Sequence, residues 1–136
     1  MNRWLLLPVA LALVAGCSTA ADTATAEQGV ALFHEQFNSG QFDQIYDSAD
    51  AEYKSTSTRA ESTEVFAGIR GKLGAFRSGK TLNWTDNVNS GGHYVNLTRE
   101  VQFDRGGGQE AFSFKITANK PVLVGYNITS NALITN

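Results

Sequence analysis

The hydrophobic repeat of this chain changes period once, near Gly79, and a chain that does so must pair helices with a sheet. Upstream of the switch the apolar residues recur at helical spacing. Val30, Phe33, His34 and Phe37 fall at i, i+3, i+4 and i+7, one face of a helix. Thr25 is placed to cap its start and Gly40 to end it. Phe42, Ile45 and Tyr46 begin a second, short helical segment. Thr58 is placed to cap a third, with Val65, Phe66, Ile69 and Leu73 as the buried stripe and Phe76 at its margin. Gly68, Gly71 and Gly74 recur at every third residue of that helix. Each costs up to about 1 kcal/mol relative to Ala, so either the helix packs closely there against another element or it breaks near Gly71.

Downstream the period is two. Leu82 and Trp84 alternate with polar neighbours, and Asn89-Ser90-Gly91-Gly92 reads as a turn. Val95, Leu97, Val101 and Phe103 share one strand face. Asp104-Arg105-Gly106-Gly107-Gly108 is a hairpin connection, and Phe112, Phe114 and Ile116 face together in the next strand. Asn119-Lys120-Pro121 turns again, and Val122, Val124, Tyr126 and Ile128 alternate in the last. Helices followed by strands on hairpin-length turns predict an α+β fold. N-terminal helices pack on one face of an antiparallel sheet of about four strands.

The first residues are of another kind. Arg3 is a short positive region, and residues 5–14 are apolar except for Pro8. A bilayer span needs about 20 apolar residues, so this run suits the hydrophobic core of a signal peptide. It is followed by Val14-Ala15-Gly16-Cys17, which resembles the lipobox of bacterial lipoproteins. The alternative is an ordinary signal peptide followed by a chance cysteine. The resemblance implies cleavage after residue 16, a diacylglycerol on the Cys17 thiol, and acylation of the new amino terminus. Several chains on one residue anchor stably where one is marginal. Ser18 in place of Asp resembles the outer-membrane default of Gram-negative lipoproteins. The expected division is a signal peptide at 1–16, a small, polar, flexible tether at 17–24, and one domain at 25–136. Cys17 is the only cysteine, so the domain holds no disulfide. The chain carries 11 basic and 13 acidic residues, a net charge of −2 that becomes −3 when Arg3 leaves. That balance argues against nucleic acid as a partner.

The segments Phe42-Asp43-Gln44-Ile45-Tyr46-Asp47, Tyr53-Lys54, Thr58-Arg59 and Ile69-Arg70-Gly71-Lys72-Leu73-Gly74 are similar to those of small bacterial lipoproteins. So are the Phe-rich hairpin and the final Val124-Gly125-Tyr126 strand. The resemblance covers roughly residues 27–134. It implies a nuclear transport factor 2-like (cystatin-like) fold, a strongly bent sheet wrapping a long helix with a cavity between them. Relatives use that cavity for catalysis, for small ligands, or not at all, so the fold alone decides no activity.

Three residues are candidates for a cavity: His34, Arg99 and Tyr126. His34 lies on the apolar stripe of the first helix, either as a core histidine with one hydrogen bond or as a general base. Arg99 falls on the strand face of Val95 and Leu97, where a lone guanidinium is costly unless paired. A bulge could turn it outward, Glu35 or Asp47 could pair with it, or an anionic ligand could meet it. His93 ends a Gly-Gly turn and is read as exposed. Two distant histidines without HxxxH spacing or cysteine partners make no zinc signature, so no metal or cofactor is expected.

Charge is segregated along the chain. Residues 17–52 hold seven acids and no Lys or Arg, whereas residues 53–80 hold six basic residues and two acids. Arg70, Lys72, Arg77 and Lys80 cluster near the end of the third helix. They either complement its C-terminus or form a basic docking patch. The outer sheet face, with Tyr94, Asn96, Thr98, Glu100 and Gln102 and the loop residue Arg105, is the second candidate partner surface. The functional expectation is a non-catalytic protein-binding module, lipid-anchored in the cell envelope and facing the periplasm. Accessory and immunity lipoproteins have this format. The alternative is a small-ligand sensor using the cavity, and an enzyme ranks third.

Overall fold

The computed structural model describes residues 18–135. The expected signal peptide at 1–16 and the expected lipidation site Cys17 lie outside them. Five helices and four strands follow one another: α1 (Ser18–Asn38), α2 (Phe42–Ser48), α3 (Ala51–Thr56), α4 (Arg59–Leu73), β1 (Phe76–Asn89), β2 (Gly92–Phe103), β3 (Gly106–Thr117), β4 (Lys120–Thr129) and α5 (Ala132–Thr135). The strands form one open antiparallel sheet in the order β1-β2-β3-β4. The helices pack on it, so the α+β class expected from the period switch is the observed one. Among the described residues no helix is long and apolar enough to cross a membrane.

Helix α1 starts at Ser18, not at Thr25. Residues 18–24, expected to be a flexible tether, form its first turns. Ala20, Ala21 and Ala24 are strong helix formers. Thr25 is no cap: its hydroxyl donates to the Ala21 carbonyl one turn back, at 3.0 Å. Gly40 does end the helix, at φ 72°. Helix α4 begins as expected, with a full capping box. The Glu61 N–H donates to the Thr58 hydroxyl, and the Thr58 N–H donates to the Glu61 carboxylate. These bonds hold the Glu61 pKa below its usual value. Phe66, Ile69 and Leu73 are buried, but Val65 is exposed, because the stripe is narrower than the run of apolar letters. Helix α3, capped by Asp50, carries no buried residue and so no apolar period to announce it.

Two of the three glycines, Gly68 and Gly71, do not mark close packing, and the helix does not break. A side chain at Gly68 or Gly71 would meet open space. At Gly74, just past the helix end with φ 79°, an added Cβ would lie 2.6 Å from Asp104, and at Gly29 in α1 it would lie 2.7 Å from the Phe114 ring. Helix α1 therefore lies directly on β3.

The space between α1 and the sheet is filled with rings. Phe33 contacts Phe37, Phe66, Phe112 and Tyr126, with the Tyr126 ring centroid 4.6 Å away. Val95, Leu97, Val101 and Phe103 are buried below, with Phe112 and Phe114. Ile116 is only partly buried. In β4 an extra residue at Val124 shifts the register: Leu123 pairs with Phe114, whereas Tyr126 pairs with Phe112. Leu123 is thus buried in place of Val122 or Val124, which a strict alternation would have put there.

Candidate functional site

The buried polar centre of the molecule is Glu110, on the inward face of β3 two residues before Phe112. Only 1% of it is exposed. Nε2 of His34, from α1, lies 2.7 Å from its Oε1. The Tyr126 hydroxyl, from β4, donates to its Oε2 at 2.6 Å. Facing a carboxylate oxygen, Nε2 donates its hydrogen to Glu110. Phe76 stacks on the imidazole, with centroids 3.5 Å apart and planes within 3°. Burial pushes the Tyr126 phenol well above its ordinary pKa, helped by the charge of the Glu110 carboxylate and the hydrogen bond to it.

Arg99 lies beside this group. It faces inward and is 8% exposed, so no bulge turns it out. Its partner is Glu27 of α1, at 2.5 Å, rather than Glu35 or Asp47. The same nitrogen donates to the Thr81 hydroxyl at 2.8 Å, and Thr81 in turn donates to Glu27. Asp47 is occupied by Arg59, and Glu35 is exposed. Arg99 Nε has no partner, and among the described residues it is the sole buried side-chain polar atom so placed. An open groove runs between α1 and the first half of β1. Glu27, His34, Asn38, Phe76, Ser78 and Arg99 line it.

Two of the three cavity candidates, His34 and Tyr126, thus meet on one carboxyl group, and Arg99 meets the groove separately. Glu110 and Glu27 were missed. Glu110 was legible, because it falls at i−2 and i−4 of Phe112 and Phe114, on the face that alternation assigns to the core. Glu27 was not, since nothing local marks which acid of α1 reaches β2.

The partner-surface candidates are engaged within the chain. Arg105 donates through Nε to the Lys72 carbonyl at 2.9 Å and through Nη2 to the Gly71 carbonyl, closing the C-terminus of α4. Lys72 Nζ donates to the Leu133 carbonyl at 2.7 Å. Arg77 pairs with Asp104 and Lys80 with Glu100, and the charge of Arg70 acts on Asp104. Asp104 also accepts the Ala75 N–H, so its pKa is held down by that bond first and by Arg77 second. Tyr94 donates to Glu52 of α3 at 2.5 Å. On the outer sheet face Asn96, Glu100 and Gln102 are exposed as expected, with Thr98 half-buried. His93 is not exposed as expected: its ring bonds to Asp86 at 2.6 Å.

Free apolar surface lies elsewhere. Strand β1 is an edge strand of 14 residues. Leu82, Trp84 and Val88 stand 49%, 45% and 72% exposed along it. Two register shifts interrupt its first half, after Phe76 and after Thr81, and residues 83–89 run in unbroken register. No protein-family model and no curated protein matches this sequence.

Proposed function

We propose that this chain is a lipid-anchored, non-catalytic protein-binding module of the bacterial cell envelope. Its domain is read as nuclear transport factor 2-like, and its partner adds an extended segment to the edge of β1. The anchor rests on the leader and Cys17. The binding mode rests on one observation, the exposed apolar row on an unpaired edge strand. An edge presents unused N–H and C=O groups, a template that proteins ordinarily blunt with bulges or charge. Here the bulges lie in the first half, and residues 83–89 are left straight. Backbone bonds then supply affinity and alternate side chains supply specificity. Trp84 has the chemistry of an interface hot spot. The segment that fits is amphipathic, apolar opposite Trp84 and Val88 with a polar residue opposite Asp86 between them, and polar on the side of Asn83, Thr85 and Asn87. The basic cluster and Tyr94 are poorer candidates because their polar groups already serve the fold.

A photo-crosslinking residue at Val88 tests this in envelope vesicles, with one at Asn127 on the opposite edge strand as control. A protein captured only from Val88, and lost with Trp84→Lys at unchanged Tm, is the expected result. A synthetic segment of it should then bind purified protein at least tenfold more weakly after Trp84→Lys. Capture that survives Trp84→Lys but fails with Tyr94→Ala and Arg105→Ala returns the interface to the outer face.

A second reading keeps one specific support. The unpartnered Nε belongs to Arg99, which lines the groove together with His34, and this suits a small polar ligand. Binding of such a ligand would be lost with His34→Gln or Arg99→Met and untouched by Trp84→Lys.

A further inference from the structure

At the far end of α1 from the groove, three side chains from three elements converge. Asp22 comes from the first turns of α1, Asp86 from β1 and His93 from the start of β2. One ligand atom from each lies within 4.8 Å of the others. His93 Nε2 is 2.6 Å from Asp86 Oδ1 and 3.5 Å from Asp22 Oδ2. Two carboxyl groups thus address one ring nitrogen, which offers a single hydrogen. The Asp86 side chain is only 8% exposed, an unusual degree of burial for an acid partnered by one half-buried histidine.

We propose that Asp22, Asp86 and His93 form a binding site for a divalent first-row transition ion, with zinc as the representative. An imidazole with two carboxylates is a nitrogen–oxygen set, which suits such ions better than calcium or magnesium, whose sites are built from oxygen. The two separations from His93 are close to what the ion needs, and all three ligand atoms lie within 4.8 Å of one another. Zinc–ligand distances of about 2.0–2.2 Å put tetrahedral ligand atoms roughly 3.3–3.6 Å apart. The Asp22–His93 separation already has that value. The Asp86–His93 separation would open by somewhat under about 1 Å, within the reach of a side-chain torsion. Three protein ligands leave a fourth position for water. The ion would staple the first turns of α1 to the β1–β2 hairpin. Asp22 lies five residues after Cys17, so the staple would fix the domain close to its point of attachment.

The test is zinc titration of the full chain in detergent, carrying Cys17→Ser so that its thiol does not compete. After chelator treatment we expect one zinc per chain with a dissociation constant in the micromolar range or below, and a Tm that rises on saturation. His93→Gln and Asp86→Asn should each weaken binding at least tenfold and abolish the zinc-dependent rise in Tm. Asp22→Asn serves as the deciding variant if either of the others fails to fold, since Asp22 sits on a helix end away from the core. Absence of saturable binding below about 100 μM overturns the site and leaves His93 as the hub of an ion-pair cluster. Binding that all the folded variants retain overturns it equally.

Discussion

Glu110 is a carboxyl group with almost no contact with water, and it survives there because both its oxygens are used. A buried polar group that loses a partner costs about 1–3 kcal/mol. Glu110→Gln replaces one oxygen by an NH2 that faces a donor, so denaturant unfolding should show a loss of about that size. Tyr126→Phe removes one bond to a charged acceptor, worth roughly 1.5–3 kcal/mol. Its effect should depend on pH in a defined sense. The folded pKa of Tyr126 is raised, and the unfolded phenol titrates near 10. The bond's contribution is therefore fully present below about pH 10 and is lost as pH rises towards the folded value. Stability curves of wild type and Tyr126→Phe should run parallel from neutral pH to about pH 9 and converge above pH 10. A constant gap up to the alkaline limit would mean that the phenol is neither buried nor held by Glu110 in the folded state. Arg99→Met, by contrast, frees Glu27 and Thr81 to bond each other or water beside an open groove, so it should destabilise less than Glu110→Gln.

At the scale of elements, both ends of α4 are held by specific bonds. The capping box at its start predicts that Thr58→Ala costs about 1 kcal/mol with no change in the far-UV spectrum of the folded protein. Its end is closed from the β2–β3 turn, where Asp104 accepts the Ala75 N–H and Arg105 covers the carbonyls of Gly71 and Lys72. The Asp104 pKa is lowered in the folded state. That clamp is present at neutral pH and is lost as pH falls through the acid range, so Asp104→Asn should flatten the acid limb of the stability curve. Arg105→Ala should loosen the end of α4, seen as faster amide exchange at Gly74 and Ala75. If it instead weakened partner binding at unchanged exchange, Arg105 would be an interface residue after all.

For the whole molecule, one aromatic cluster joins α1, α2 and α4 to all four strands. Phe37 and Phe114 are 1% and 2% exposed. Replacing either by Ala should cost about 3–5 kcal/mol, a large part of the stability of a domain this size. Losses under about 1 kcal/mol at both would mean that the core is elsewhere. With the interior filled by rings, the open spaces lie at the flanks: the groove beside α1 and the exposed edge of β1. Function is therefore sought at the margins of the sheet, and Trp84→Lys should change binding without changing Tm.

The α+β class, the four strands with their turns, the Thr58 cap and most of the core faces are written in the sequence, because each depends on residues within a few positions of one another. Period, cap chemistry and turn chemistry are local. The roles of individual polar residues are not. Arg99 is legible as inward-facing, but only the packing of α1 across the sheet decides that Glu27 rather than Glu35 meets it. His93 reads as a turn residue until the same packing brings Asp22 to it. The bulge at Val124, which buries Leu123, arises from the fit of β4 to β3 and leaves no mark in the alternation. The basic cluster reads as a patch because charge is visible in a sequence while its partners are not. Asp104, Glu100 and the carbonyls of Gly71, Lys72 and Leu133 are brought beside it by contacts up to 61 residues apart. The tertiary structure alone decides which charges are spent on the fold and which surface, here the edge of β1, remains free.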